Sequence, residues 1–316
     1  MAFSGTGKVW MNGKIVDWAD ANIHIASHAL HYASAVFEGA RCYKTPKGSV
    51  FLRLDAHIRR LYDSAKIYRM EYELDRDAFT QAVVDVVQAN ALEACYVRPL
   101  IYRGYRELGV DPRRCPVDAA IMVWEWGAYL GPEALEHGVD VCVSSWSRAA
   151  PNTFPGMAKS SANYANSALI KMEAAENGYS EAIALDSFGV VSEGSGQNLF
   201  LVRDDVLLTP PLSTAGLSGI TRDIVVTLAN DLGYQVREQD LPREMLYVAD
   251  ELFFTGTAAE VSPIRSVDKV TIGSGRRGPI TTRLQQAFFD YVNGVVPDRH
   301  NWLLPVEIPS AAGRGR

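Results

Sequence analysis

Apolar and polar positions change period several times along the chain, and each change predicts an element. Residues 9–16 surround Asn12-Gly13, a dipeptide suited to a two-residue turn, so a hairpin is expected there. Ile58, Leu61 and Ala65 recur at helical spacing within residues 57–68, and a second helical stretch falls near 78–90. Apolar runs at 49–53, 96–102 and 118–124 predict strands. The pattern breaks into a Gly/Pro-marked segment at 127–132, then restarts as a strand at 139–144. Ala165, Ala168, Leu169 and Met172 predict a helix over 164–177, stopped by Gly178. Residues 182–185, 190–193 and 198–202 read as a meander of antiparallel strands. Residues 217–222 open another helix, continued by Ile224, Val225, Leu228 and Leu232, and 251–255 form a short strand. Helix, strand and hairpin signals interleave without the regular alternation of a Rossmann domain, so the class is mixed α/β (α+β).

Composition narrows the function classes. The 316 residues are enough for two domains, each with its own core. A net charge of −6 and the lack of any basic run weigh against nucleic acid. Cys42, Cys95, Cys115 and Cys142 form no Cys-x-x-Cys pair, which predicts reduced thiols in a reducing compartment. No signal peptide is evident, and no apolar stretch approaches the roughly 20 residues of a membrane helix. A cytoplasmic protein, away from membranes, is expected. The tail after residue 309 is small, polar and basic, and disorder is expected there.

Three motifs carry candidate chemistry. His24, His28 and His31 have helical spacing, but no Glu or Cys follows in register, so packed histidines are expected and no metal site. Gly273-Ser-Gly275-Arg-Arg-Gly278 fits a dinucleotide fingerprint, yet Pro279 follows at once and no βαβ unit surrounds it. A glycine-rich turn suffices. Lys159 has no acidic residue within ten positions and is bracketed by Gly156, Met157, Ala158 and Ala162. A desolvated lysine is a nucleophile toward carbonyls, the requirement of Schiff-base chemistry. Pyridoxal 5′-phosphate chemistry would further need a carboxylate for the pyridine nitrogen, a phosphate cradle and a group for the ring hydroxyl. Glu193, followed by Gly-Ser-Gly, is either that carboxylate or a strand-end surface residue. Gly219-Ile220-Thr221 at a helix start is either a phosphate site or a plain cap, and 256–259 offer accessible backbone amides.

These stretches together resemble the class IV aminotransferases, and more closely the branched-chain amino acid aminotransferases. The resemblance rests on Lys159 in Ala-Lys-x-x-x-Asn-Tyr, on Ser192-Glu-Gly-Ser-Gly-Gln-Asn-Leu-Phe200, on Gly219-Ile-Thr-Arg222 and on Gly256-Thr-Ala-Ala-Glu260. Ser27-His-Ala-Leu-His-Tyr32, Val36-Phe-Glu-Gly-Ala-Arg41, Tyr96-Val-Arg-Pro-Leu100 and Trp126-Gly-Ala-Tyr129 agree in the N-terminal half. It implies the fold type IV architecture: an N-terminal α/β domain (1–129), an interdomain loop (130–137) and a larger C-terminal domain (138–316) with a β-barrel core, the cofactor lying between the domains. It further implies that Lys159 is the catalytic, cofactor-bearing lysine, that Glu193 pairs with the pyridine nitrogen and that Tyr164 bonds the ring hydroxyl. Arg60 rather than Arg59, together with Leu217, Gly219, Ile220, Thr221, Gly256 and Thr257, would hold the cofactor and its phosphate. Tyr32, Phe37, Trp126 and Tyr129 would wall the side-chain pocket, with Tyr96, Arg98, Ala258 and Ala259 on the substrate carboxylate and Gly39 and Arg41 also among the substrate-binding residues. The implied reaction transfers amino groups between Leu, Ile or Val and 2-oxoglutarate in a ping-pong cycle, in a homodimer or higher homo-oligomer. Arg103 and Arg106 leave the donor range open. They are either solvated loop charges or ligands for a second carboxylate. D-amino acid or (R)-amine transamination, an aminodeoxychorismate lyase activity, or a non-catalytic cofactor-binding protein are the competing readings.

Overall fold

The computed structural model describes residues 5–127, 130–131 and 133–309. Packing divides the chain into two units. One comprises Met1–Trp126, Ala158–Ala162 and Tyr291–Arg316; the other comprises Gly127–Met157 and Asn163–Asp290. The Lys159 segment thus packs with the N-terminal unit, although it lies beyond residue 138 in sequence. The tail after residue 309 and Tyr129 lie outside the described residues.

The first unit holds β1 (Lys8–Met11), β2 (Lys14–Asp17), α1 (His28–Tyr32), β3 (Ala35–Phe37), β4 (Ala40–Thr45), β5 (Gly48–Leu52), α2 (Leu54–Ile67), α3 (Arg76–Asn90), β6 (Cys95–Arg103) and β7 (Val117–Trp124). The β1–β2 hairpin turns at Asn12 and Gly13 with φ of 45° and 86°, the positive angles its two-residue turn requires. A strand late in the chain, Leu303–Val306, adds to the edge beside β5 and completes an eight-stranded sheet. Leu54, Ile58, Leu61 and Ala65 form one stripe of α2, and Phe79, Ala82, Val83, Val86 and Val87 one stripe of α3. Both stripes bury against Val36, Val97, Ile101 and Ile121 of the sheet. Each of the Val, Leu, Ile and Phe side chains stabilises the unit by about 1.5–3 kcal/mol.

The second unit runs through α4 (Ala134–His137), β8 (Val139–Val143), α5 (Ser161–Glu176), β9 (Glu181–Leu185), β10 (Val191–Gly194), β11 (Asn198–Arg203), β12 (Val206–Thr209), α6 (Ile220–Asp231), β13 (Val236–Glu238), β14 (Glu251–Gly256), β15 (Glu260–Val267), β16 (Val270–Thr271) and α7 (Pro279–Val292). Leu303–Val306 is therefore β17. The sheet order is β10-β9-β8-β15-β14-β11-β12-β13, with β16 beside β15. This overturns the simple meander. β10 pairs with β9, but β11 pairs with β12 and β14. Flat, five strand spacings of about 4.8 Å would hold β10 and β11 roughly 24 Å apart. Four residue steps of about 3.8 Å reach no more than roughly 15 Å. The sheet therefore curls back on itself as a half-barrel.

Candidate active site

In the first unit, β3 fixes the Lys159 segment. Val36 and Ser160 form a β-bridge, and the Phe37 N–H donates to the Lys159 carbonyl at 3.0 Å. The Lys159 N–H donates to Ser64 Oγ at 3.0 Å, and Tyr68 Oη to Ser160 Oγ at 2.9 Å. Ala158 and Ser160 are buried. The backbone on both sides of the lysine is therefore locked, and Lys159 Nζ lies 5.1 Å from the centre of the Phe37 ring. Ser64 and Tyr68 carry no signal in the sequence, since they sit about 90 residues from the lysine they position.

Beneath this segment lies a buried charge cluster. Arg60 Nε and Nη2 donate to the two oxygens of Glu38 at 2.5 and 2.9 Å, and His57 Nδ1 lies 2.7 Å from Glu38 Oε2. Burial would raise the Glu38 carboxyl, but the Arg60 charge and the His57 hydrogen bond hold it well below the usual carboxylate range. Burial lowers His57, against the pull of Glu38, with the Arg60 and Lys159 charges adding to the lowering. Of the two adjacent arginines, Arg59 is 73% exposed and Arg60 11%. Only Arg60 is built into the unit.

The aromatic residues expected around the substrate divide. Arg98 stacks over Phe37 at 4.7 Å and lies 5.7 Å from both Tyr96 and Trp124. Its buried Nε has no hydrogen-bond partner among the described residues. Tyr96 meets Trp126 edge-on at 4.5 Å, and Arg41 Nη2 donates to the Trp126 carbonyl at 2.9 Å. Gly39 is required, because a Cβ there would lie 1.8 Å from Tyr96 Oη. Tyr32 stands apart, stacked on His28 at 4.5 Å.

In the second unit, Glu193 is buried at the end of β10. Its Oε2 accepts from the Leu217 N–H at 3.0 Å and from Asn198 Nδ2 at 3.3 Å, and its Oε1 lies 3.2 Å from Arg148 Nη2. The surface alternative for Glu193 is thereby excluded. Asn198 also bonds the Leu217 carbonyl, and its Oδ1 occupies the place of a Gly219 Cβ, which would come within 1.8 Å. Gly219 caps α6 with no side-chain bond to the first turn, leaving the N–H groups of Ile220 and Thr221 at the positive end of the helix. Thr257, Ala258 and Ala259 form the β14–β15 turn. Tyr164 lies on the first turn of α5. Arg148 and Asn198 were not predicted; Asn198 follows Glu193 by five residues, the only hint the sequence holds.

Other expectations resolve plainly. His28 bonds Ser34 Oγ at 2.7 Å and the Gly109 carbonyl at 2.8 Å, while His31 bonds the Ile25 carbonyl. The three histidines do not share one helix, since α1 starts at His28. Among the described residues no three His, Cys, Asp or Glu converge as metal ligands. Arg103 is not a solvated charge; it is buried, its Nη1 and Nη2 donating to the Cys115 and Arg69 carbonyls, while its Nε has no hydrogen-bond partner among the described residues. Arg106 is exposed. At the glycine-rich turn, Glu251 accepts from the N–H groups of Ile280 and Thr281 at 2.9 and 2.7 Å, and its carboxyl carbon would lie 2.1 Å from a Gly278 Cβ. The chain's own carboxylate fills the slot that a dinucleotide phosphate would need. No helix among the described residues is long and apolar enough to cross a membrane.

Comparison with known proteins gives the family. The sequence profile of the amino-transferase class IV family matches residues 35–267. The chain is 52% identical over 296 residues to the branched-chain-amino-acid aminotransferase of Escherichia coli K12, covering 93% of this chain and 96% of that one. The crystal structure of the Escherichia coli enzyme superposes with a TM-score of 0.94 at 51% identity, covering 96% of this chain and all of that one. The branched-chain amino acid aminotransferase of Thermobaculum terrenum, solved in its PLP-bound holo form, gives 0.90 at 35% identity, over 96% and 99% of the two chains. The chain belongs to the class IV aminotransferases, and its architecture is fold type IV.

Proposed function

We propose that this protein is a pyridoxal 5′-phosphate-dependent aminotransferase exchanging amino groups between leucine, isoleucine or valine and 2-oxoglutarate, with Lys159 as its catalytic residue. The observation that carries this reading is the 52% identity along 93% of the chain to an enzyme of that name. The donor set fits the cofactor: a lysine on a locked backbone, a buried carboxylate, and a helix N-terminus whose first N–H groups lack a side-chain cap. When bound, pyridoxal phosphate supplies an electron sink for the carbon that loses its proton.

The residues then have distinct tasks. Lys159 Nζ holds the cofactor, then takes the α-proton from the amino acid and returns a proton to complete the transfer. Glu193 accepts the hydrogen bond of the ring nitrogen and keeps it protonated. Tyr164 would bond the ring hydroxyl. Arg60, Ile220, Thr221 and Thr257 take the phosphate, and Leu217, Gly219 and Gly256 leave room for it. Arg98, a cation whose buried Nε finds no acceptor among the described residues, supports a role in holding substrate carboxylate, with Tyr96, Ala258 and Ala259. Phe37, Gly39, Arg41 and Trp126, with Tyr32 and Tyr129, bound the apolar side chain.

The working form is a homodimer or larger. Ile25, Leu30, Tyr105, Leu108 and Val110 are exposed on segments tied by the Ser27–Tyr105 bridge and the His28–Gly109 bond, a patch suited to a second copy. Light scattering should give the mass of at least two chains. A cytoplasmic location suits four free cysteines. The activity is tested by supplying L-leucine, D-alanine and (R)-1-phenylethylamine separately with 2-oxoglutarate. Turnover with L-leucine alone is expected, and its loss, with that of cofactor absorbance, in Lys159→Ala. Activity with D-alanine or the amine but not L-leucine would overturn the reading.

A further inference from the structure

We propose that Arg148 is a positioning residue for Glu193: it keeps that carboxylate charged and aimed in the cofactor-free chain, so that a protonated ring nitrogen meets a ready anion. The inference rests on the role proposed above for Glu193.

Arg148 follows β8 in a loop, and its side chain is buried. Its own N–H is tied to the Leu185 carbonyl at 2.8 Å. Nη1 donates to Asn166 Oδ1 at 3.0 Å and Ser167 Oγ at 2.9 Å, while Nη2 donates to the carbonyls of Gly194 at 2.6 Å and Ser195 at 3.0 Å. These four neutral acceptors fix the plane of the guanidinium, which then stands with Nη2 3.2 Å from Glu193 Oε1. Asn198 Nδ2 and the Leu217 N–H, which also donate to Glu193, are neutral. Such donors orient a carboxylate, but a buried one without a counter-charge takes up a proton instead.

The same fork has a second consequence. Asn166 and Ser167 belong to α5, the helix that carries Tyr164, while Gly194 and Ser195 follow Glu193 directly. Arg148 thereby joins the segment bearing the phenol to the segment bearing the carboxylate and sets the distance between them. A lysine would bring the charge but not the planar fork, because an ammonium cannot hold two acceptor pairs in one plane.

Calorimetric titration of the cofactor-free full chain with pyridoxal 5′-phosphate, in buffers of different ionisation enthalpy, counts the protons released on binding. At neutral pH, Arg148→Met should release more protons than the wild type, approaching one extra, and bind at least ~10-fold more weakly. Both differences should vanish when the substitution is made in a Glu193→Gln background. Arg148→Lys should keep the wild-type proton count and still bind more weakly. Ser167→Ala, which removes one anchor and keeps the guanidinium, should do the same to a smaller degree and serves if Arg148→Met does not fold. An unchanged proton count in Arg148→Met overturns the proposal. So does a loss of affinity, in any of the variants, that persists undiminished in the Glu193→Gln background, since that is the mark of a purely structural residue. A wild-type chain that binds no cofactor would instead refute the role of Glu193 itself.

Discussion

Among the described residues two arginine–glutamate pairs are buried, one in each unit, and they are built the opposite way round. In the Glu38–Arg60 pair the carboxylate is wholly enclosed, and the arginine keeps 11% of its side chain exposed. In the Arg148–Glu193 pair the arginine is bound on four other sides by the scaffold, and the glutamate keeps the access. Each pair thus commits one partner to the interior and presents the other. A buried pair does not by itself add much to stability, because desolvation offsets most of the attraction. What it secures is a polar group held in one orientation, a guanidinium in one unit and a carboxyl group in the other.

The contrast can be broken experimentally. The largest effect is expected from Glu38→Ala, which takes the buried carboxylate away from both Arg60 and His57 and should cost about 3–5 kcal/mol. Calorimetry should show a melting temperature lower by roughly 6–15 °C; a change of a degree or two would mean Glu38 is not the enclosed member. Glu193→Gln preserves shape and the bond from Leu217, and Arg148 keeps its four other acceptors, so stability should fall less than with Glu38→Ala while kcat falls about 100-fold or more. Equal losses of stability in the two variants would erase the distinction between the pairs.

The smallest effect concerns pH. His57 is lowered in the folded chain, so below about pH 6.5 the unfolded chain takes up a proton that the folded chain refuses. Stability should therefore fall as pH drops through that range, by at most about 1.4 kcal/mol per unit. Glu38, also lowered, adds a further loss only below about pH 4.3, its unfolded value, as pH falls toward its folded one. Melting curves at pH 7.5 and 5.5 read the first term, and His57→Gln should flatten it. A slope unchanged by that substitution assigns the effect elsewhere.

Much of this was legible in local patterns. The Asn12-Gly13 hairpin, the α2 and α3 stripes and the helix stop at Gly178 follow from backbone preferences and periodicity that act over a few residues. Lys159 was conspicuous because charge-free neighbours are a property of sequence. Arg148 was not, since its claim to notice comes entirely from Glu193, 45 positions away in the chain. The expected meander failed for a related reason. Adjacent strands usually pair, but here Arg148 takes the Gly194 and Ser195 carbonyls, and the curl of the sheet delivers β11 to β14.

By itself, then, the sequence determined which segments become helices and strands, which lysine stands in unusual company, and to which family its motifs belong. Those depend on short-range sterics, periodicity and motif order. The tertiary structure decided which arginine is enclosed, which carboxylates are buried against an arginine, that Arg103 is buried and tied to two carbonyls, and that Glu251 closes the glycine-rich turn. Those outcomes depend on burial and on partners far away in the chain, because the cost of removing a charge from water is set only when the surrounding fold is complete.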